Sequence, residues 1–392
     1  MQLKNKKKNI FIILSLIIFI FTSQSYIPVL IETISITGSS DFQWGPARCV
    51  QEGINHYQAF INKDNSCKIF MTQFGDYLHA FYIILYPLTF LDWKIAKISW
   101  LVINIVILIA TIQIISKRLK LSYYEKLISY FFIFFCISVK IHFIMGQQAL
   151  FTLFFLSLAF LKPSKKNYFL SGLCYVKYNI GYVLFLYLIV DKKIKNLLLT
   201  CAPIILGWFI YAYLTKTPLI LNLFDPIALL FENFKVLKSL NHTFVGTPFV
   251  NLTQNLNFNL LIIITLIFLI NMYYLIIIKR FKDNLKKLSL IMLLVLISFP
   301  HWSHDYILMI PLFMVSLKNF SLNMINKINF FVSIYFLHLH KAIFIYISKF
   351  LNLLNFDNDL ITVFGDLYPY LNILILFFCL TINLKEKNSL KI

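Results

Sequence analysis

Repeated apolar segments are the feature that most constrains this chain. A helix that crosses a bilayer needs about 20 mainly apolar residues. Such runs lie at 9–27, 95–115, 125–143, 148–161, 167–177, 179–190, 195–214, 257–278, 288–300, 305–317, 328–346 and 368–384. Charged residues make up only 13% of the chain, about half of what is usual for a soluble domain. The sequence therefore predicts an all-α polytopic membrane protein.

Several of these apolar runs are too short to cross a bilayer as straight helices. They lie at 148–161, 167–177, 179–190, 288–300 and 305–317. Short hydrophobic pairs indicate helices that end at a water-filled cavity. The first run, Asn9 to Ile27, follows four lysines and precedes no small-residue cleavage site, so we interpret it as a retained membrane anchor.

The distribution of positive charge predicts the orientation. The chain has 36 Lys and Arg against 16 Asp and Glu. If the apolar segment 77–91 does not cross, 24 basic and only 4 acidic residues fall in loops on one side, and if it crosses, this bias disappears. Because such basic loops stay in the cytoplasm, we expect 12 passes, cytoplasmic termini and a re-entrant or surface-lying segment at 77–91. The charge thus reports orientation, and we expect no nucleic-acid partner.

This topology makes residues 1–392 a single membrane domain with two large extracytoplasmic loops, 28–94 and 215–256. In the first loop, Cys49 and Cys67 are expected to form a disulfide if the outer compartment is oxidising. Asp41 follows the first span. A carboxylate there suits a general base acting on a hydroxyl, and the alternative interpretation is a loop aspartate that caps the following helix.

Polar residues also gather at the predicted outer ends of the spans. Lys177 lies at the apex of a hairpin between two short runs, where a cation is placed to bind a lipid phosphate. For Lys177 and Lys140 the alternative is snorkelling to the interface. His301, His304 and Asp305 form another outward apex. A zinc site normally needs three or four ligands at consistent spacing, so we expect these side chains to contact phosphate or sugar and no metal.

Six short motifs follow one another over residues 9–317 and share the outward face. They are Asp41, Gly53-Ile54-Asn55-His56-Tyr57, the segment from Tyr77 to Pro87-Leu88, Gly146-Gln147-Gln148, Ser171 to Lys177, and Pro300-His301 with Asp305. In this order they resemble glycosyltransferase family 87 of the GT-C superfamily, which includes a mycobacterial polyprenyl-phosphate-mannose-dependent alpha-1,2-mannosyltransferase. Where that family often has proline, this chain has His56 and Tyr178.

The resemblance implies a GT-C-like bundle of about 12 transmembrane helices, whose first extracytoplasmic loop carries interfacial helices. It implies an inverting hexosyltransferase, with mannose as the family expectation, that needs no cofactor. The donor would be a polyprenyl-phosphate sugar and the acceptor a lipid or glycan hydroxyl, at the outer face of a bacterial inner membrane. Asp41 would be the base. The lipid phosphate would contact Lys177, His301, Arg48, Lys140 and His304, and the sugar or acceptor would contact Gln147, Gln148, Tyr57, Trp44 and Asp305.

Two other classes of membrane protein share some of these features. A secondary transporter also contains short broken helices with buried lysines, although long outer loops and the lack of visible repeats argue against it. A lipid flippase or an O-antigen polymerase or ligase shares the outer loops and the polyprenyl substrate. The sequence names neither the sugar nor the acceptor nor the oligomeric state.

Overall fold

The computed structural model describes residues 31, 42–64, 66–67, 75, 77–239, 260–298, 304–320, 322–340, 343, 346–347 and 358–389. The predicted first span, Asp41 and His301 lie outside these residues. Every regular element within them is a helix. The first outer loop contains α1 (Trp44–Gln51), α2 (His56–Ile61) and α3 (His79–Leu85), which continues into a 3-10 helix at Tyr86–Phe90.

The remaining helices are mostly apolar. They are α4 (Trp93–Leu119), α5 (Tyr123–Phe135), α6 (Ile137–Met145), α7 (Ala149–Leu161), α8 (Lys165–Ser171), a 3-10 helix (Gly172–Val176), α9 (Tyr178–Val190), α10 (Ile194–Thr215) and α11 (Leu219–Ser239). Then follow α12 (Leu260–Ile278), α13 (Asn284–Ser298), a 3-10 helix (Asp305–Met309), α14 (Ile310–Lys318), α15 (Met324–Ile334), a π-helical turn (Tyr335–Leu339) and α16 (Asn358–Ser389). The described residues therefore confirm the predicted all-α fold class.

Two of the described helices, α4 and α10, are long and apolar enough to cross a membrane. A third candidate is the pair α5 and α6, bent by 56° at Cys136. The break has a local cause, since Cys136 adopts extended dihedrals and its Sγ accepts from Val139 N at 3.4 Å. Shorter apolar helices, α7 and α9 among them, pack around these spans. Together these features identify an integral membrane protein.

The basic loops meet at one end of the molecule. The contacts are Arg118 Nη2 to Asp283 Oδ1 at 3.8 Å, Lys318 Nζ to Glu125 Oε1 at 3.0 Å, and Lys279 Nζ to Val190 O at 3.1 Å. They connect the end of α4 and the end of α9 to the α12–α13 loop, and the start of α5 to the end of α14. These are loops that the charge distribution assigns to one side of the membrane.

The segment 77–91 contacts the first outer loop at both of its ends. Tyr57 Oη donates to Tyr77 O at 2.5 Å, and Trp44 Nε1 donates to Leu88 O at 3.0 Å. Its 7-residue α-helix and 5-residue 3-10 helix span about 20 Å at rises of about 1.5 and 2.0 Å per residue. The hydrocarbon core is about 30 Å thick. Helix α8 and the 3-10 helix that follows it have the same lengths, so length does not separate this segment from the short predicted passes, and its surface-lying or re-entrant course stays a prediction.

Candidate functional site

A buried ion pair forms the centre of the candidate site. Lys177 Nζ lies 2.7 Å from Asp305 Oδ1 and donates to Gln147 Oε1 at 3.2 Å. The Lys177 and Asp305 side chains are only 6% and 3% exposed. A buried charge is tolerated when an opposite charge and hydrogen bonds compensate it. The structure thus joins three candidate residues that the sequence keeps 30 and 128 positions apart.

Two glycines place Lys177 at this centre. Lys177 follows the 3-10 helix Gly172–Val176 and is the N-cap residue of α9. A Cβ atom on Gly172 would collide with the Thr200 carbonyl oxygen on α10, and one on Gly181 would collide with the Cys174 carbonyl oxygen. Only residues without a side chain allow this close backbone approach. The close packing of the motif from Ser171 to Lys177 therefore fixes the position of the lysine ammonium group.

Gln147 is positioned by the end of α6. Gly146 has a φ of 67°, in the left-handed region that favours glycine at a helix end. Its carbonyl oxygen accepts from Trp100 Nε1 at 2.9 Å, and Gln147 N donates to His142 O at 3.1 Å. A Cβ atom on Gly146 would lie 2.7 Å from Phe42 Cβ. Phe42 follows Asp41 in the sequence, so the first outer loop packs directly against this turn.

Gln148 completes the same turn. Its side-chain Nε2 donates to Gly146 O at 3.1 Å, and the residue precedes the first turn of α7. Lys177 occupies the corresponding position before α9. The amino ends of two helices thus lie at the Gln147–Lys177 contact. Helix amino ends carry partial positive charge and favour anions.

His142 is a site residue that sequence reasoning did not assign. It is fully buried, and its Nε2 lies 3.3 Å from Asn104 Oδ1 on α4. Its backbone carbonyl oxygen accepts from Gln147 N at 3.1 Å, so it belongs to the turn that carries Gln147. A single histidine 38 positions from its partner leaves no spacing pattern that would predict this pairing.

His304 lies next to the ion pair, with Nε2 3.7 Å from Asp305 Oδ1. Two other candidate cations make contacts elsewhere. Lys140 Nζ lies 5.6 Å from the centroid of the Phe135 ring. It precedes His142 by two helical positions, about 200° around the helix, so the two side chains point in different directions. Arg48 Nη1 donates to Thr89 O at 2.7 Å in the outer loop.

The Gly-x-Asn-x-Tyr motif connects the two outer loops. Gly53 has a φ of 79°, which glycine adopts without strain. Asn55 caps α2, since its Oδ1 accepts from Tyr57 N at 3.1 Å. Its Nδ2 donates to Asp225 Oδ2 at 2.6 Å on α11, and Gln58 Nε2 donates to the other carboxylate oxygen. Burial raises the pKa of Asp225, and the two amide donors oppose that shift.

His56 and Tyr57 pack in an aromatic cluster on this side. His56 Nε2 donates to Gly75 O at 3.2 Å, and Nδ1 lies 2.8 Å from Tyr211 Oη. Burial lowers the pKa of His56 to about 3, so the ring is neutral and Nδ1 accepts from the tyrosine. The Tyr57 and His56 ring centroids lie 3.9 Å apart. Tyr57 thus packs inside the protein in this structure.

A disulfide bond and packing against tryptophan also hold the first outer loop in place. A disulfide joins Cys49 on α1 to Cys67. Trp44 packs edge-on against Trp93, with ring centroids 5.7 Å apart, and Phe42 lies 5.4 Å from the same Trp93 ring. These contacts hold the described part of the loop against the outer end of α4.

Comparison with known proteins assigns the chain to a family. The model of glycosyltransferase family 87 matches residues 79–300, which is more than half of the chain and includes Gln147 and Lys177. No curated protein and no solved structure matches the chain. The chain belongs to glycosyltransferase family 87 and is a membrane glycosyltransferase.

Proposed function

We propose that this glycosyltransferase moves a hexose from a polyprenyl-phosphate sugar to a hydroxyl of a lipid or glycan acceptor. Mannose is the sugar that the family resemblance favours. The observation that carries the proposal is the buried Lys177–Asp305–Gln147 cluster, which lies where the amino ends of α7 and α9 meet. A cation and two helix amino ends suit the negative charge that develops on a departing lipid phosphate.

The ion pair gives Lys177 two states. Without donor, Asp305 neutralises the ammonium group. A bound phosphate competes for the same Nζ, and Asp305 is then able to accept a hydrogen bond from a sugar hydroxyl. We assign His304 and His301 to the phosphate side of this exchange, together with Lys177.

We assign the general base to Asp41. Its neighbour Phe42 packs on the Gly146 turn that carries Gln147, which supports a place for this segment beside the cluster. The carboxylate takes the proton of the acceptor hydroxyl as the oxygen attacks the anomeric carbon. The bond between that carbon and the phosphate oxygen breaks on the opposite face, the phosphate leaves with the bonding electrons, and the configuration inverts.

The other candidate residues take supporting roles in this proposal. Gln147 and Gln148 bind sugar hydroxyls. Trp44, Tyr57 and Arg48 hold the first outer loop through their contacts with residues 77–93 and thereby shape the acceptor side. Lys140, half-buried beside Phe135, binds lipid headgroups near the donor entrance.

We also propose that the chain has 12 passes in a bacterial inner membrane, with the reaction on the extracytoplasmic face and both termini in the cytoplasm. The contacts among the basic loops support this orientation, because they gather these loops at one end. The Lys177 cluster lies at the far ends of the bent pair α5–α6 and of α9 from these loops.

Radiolabelled donors test the proposed function. Membranes that contain the protein are incubated with polyprenyl-phosphate mannose, glucose or other hexoses, and transfer to endogenous lipid or glycan is measured. Asp41→Asn is expected to abolish transfer at normal expression and membrane insertion. Asp64→Asn, a control in the same loop, keeps it. Full activity of Asp41→Asn removes Asp41 from the mechanism, and uptake of a solute without any lipid-linked sugar favours a transporter instead.

A further inference from the structure

Two buried polar atoms at the candidate site have no hydrogen-bond partner among the described residues: His142 Nδ1 and Gln147 Nε2. Both side chains are at most 1% exposed. Nearly all buried polar groups in proteins are hydrogen-bonded, and one left without a partner costs about 1–3 kcal/mol. The two atoms belong to one helix end, since Gln147 N donates to His142 O and the Gln147 side chain accepts from Lys177 Nζ, and hydroxyl groups of a bound ligand would supply both missing partners.

The chemical character of each atom follows from its neighbours. Asn104 Nδ2 donates to Trp100 O at 2.9 Å, so its Oδ1 is the atom that faces His142. His142 Nε2 must then carry the proton and donate to Asn104 Oδ1. In the neutral ring this leaves Nδ1 as an acceptor. Gln147 Oε1 accepts from Lys177 Nζ, so its Nε2 is a donor.

We propose that His142 Nδ1 and Gln147 Nε2 bind hydroxyl groups of the donor hexose, and that Asn104 holds His142 in the required tautomer. The inference rests on the proposed function and adds the Asn104–His142 pair to it. A sugar hydroxyl both donates and accepts, so one hydroxyl satisfies the acceptor and another satisfies the donor.

A structural role and a binding role of His142 depend on different ring nitrogens. If its only task is the bond to Asn104, the important atom is Nε2. If it binds a hydroxyl, the important atom is Nδ1. A glutamine side chain places its amide near the Nε2 position, and an asparagine side chain places its amide near the Nδ1 position. Replacing His142 with each of them therefore removes one function and keeps a polar atom for the other.

The experiment compares His142→Gln and His142→Asn in the transfer assay, with melting in detergent as the measure of folding. We expect His142→Gln to melt like the wild type and to raise KM for the donor about tenfold, the effect of one lost hydrogen bond. We expect His142→Asn to melt earlier and to keep a KM closer to that of the wild type. Wild-type kinetics in His142→Gln would overturn the proposal.

Donors that lack single hydroxyl groups sharpen the test. With the wild type, one monodeoxy donor is expected to give about tenfold less transfer activity than the complete donor. With His142→Gln, the same monodeoxy donor is expected to cause no further loss of activity, because the hydrogen bond is already missing. Equal losses with wild type and variant for every deoxy donor would overturn the assignment of Nδ1. If the wild type uses no polyprenyl-phosphate sugar at all, the proposed function fails, and this inference fails with it.

Discussion

At the residue scale, the Lys177–Asp305 pair is the most consequential contact. Replacing Lys177 with Met leaves a carboxylate buried without its counter-charge. Breaking a buried pair in this way costs about 3–5 kcal/mol, whereas removing both charges costs much less. We therefore expect Lys177→Met to lower the melting temperature in detergent and Lys177→Met/Asp305→Asn to recover most of the loss.

Lys166→Met is the matched control for this prediction, because Lys166 is exposed in the first turn of α8. It should melt like the wild type. Equal melting temperatures for the single and the double variant would show that the pair is not electrostatically coupled. Both cluster variants are expected to lose transfer activity, so only the melting temperature is expected to recover in the double variant.

His56 makes the stability depend on pH. Its pKa is lowered from 6.5 to about 3 by burial, so the unfolded chain binds a proton that the folded protein does not. Stability is then fully present above pH 6.5 and falls by up to about 1.4 kcal/mol for each pH unit below it. We expect the melting temperature to decrease between pH 7 and pH 5, and to decrease less in His56→Phe, as measured by thermal unfolding in detergent. The same pH dependence in both proteins would assign the effect to other groups.

The two departures from the family pattern have a shared structural explanation. His56 is the first residue of α2 and Tyr178 is the first residue of α9. Proline is favoured at this helix position because the backbone N–H there has no intrahelical partner. Another residue fits the same backbone, so the motifs keep their geometry without proline.

At the element scale, the Gly172 turn determines where Lys177 lies. An alanine there collides with backbone of α10, which cannot move aside as a flexible side chain would. We expect Gly172→Ala to displace the turn and to reduce transfer at least tenfold although every polar site residue is still present. The transfer assay and detergent melting measure this outcome.

Gly53→Asn is the control for that substitution. Gly53 has a left-handed φ, which asparagine tolerates, and the nearest atom to an added Cβ lies 3.7 Å away. It should retain activity. If Gly172→Ala behaves like Gly53→Asn, the close approach to α10 does not position Lys177.

Helix lengths could be predicted well from the sequence, because apolar length is visible in it. The short run 148–161 matches α7, and the run 179–190 matches α9 within one residue. The break at Cys136 could not be predicted, since neither proline nor glycine marks it. Helix α11 in the second outer loop was also missed. In the sequence, its exposed apolar residues look like scattered hydrophobic residues of a loop. Only the structure shows that Asp225 anchors this segment to the cap of α2.

At the scale of the whole molecule, the proposed orientation can be tested where the contacts join the basic loops. A reporter fused after Lys120 is expected to be cytoplasmic, as are reporters in the 279–287 loop and after Lys318, because contacts join all three places. Enzymatic reporters that are active on one side only measure this. An outward signal after Lys120 would mean that residues 77–91 cross the membrane and would overturn the 12-pass proposal.

The site could be predicted in its parts but not in its assembly. Lys177, Gln147 and Asp305 stand out because polar residues at the ends of apolar runs are unusual. The sequence suggests different ligands for them, whereas the structure makes Asp305 the counter-ion of Lys177. That pairing depends on how the helices pack, and so does the contact between Asn104 and His142.

Described residues beyond 317, a region without a recognisable motif, pack against the neighbour of Asp305. The ring centroid of Tyr306, next to Asp305, lies 4.6 Å from that of His340 and 4.7 Å from that of Phe336. Tyr368 on α16 donates to His340 O at 2.5 Å. The described C-terminal helices therefore back the turn that carries Asp305.

The π-helical turn Tyr335–Leu339 has a consequence for comparing this chain with its relatives. A π turn closes its hydrogen bond over one residue more than an α turn, and Ser138 Oγ donates to Phe336 O at 3.3 Å within it. Each added residue rotates the later part of the helix by about 100° around its axis. A family member with an uninterrupted α-helix here would show the same faces only with a one-residue deletion. Alignments should therefore open a single gap at this turn and number the flanking positions in separate registers.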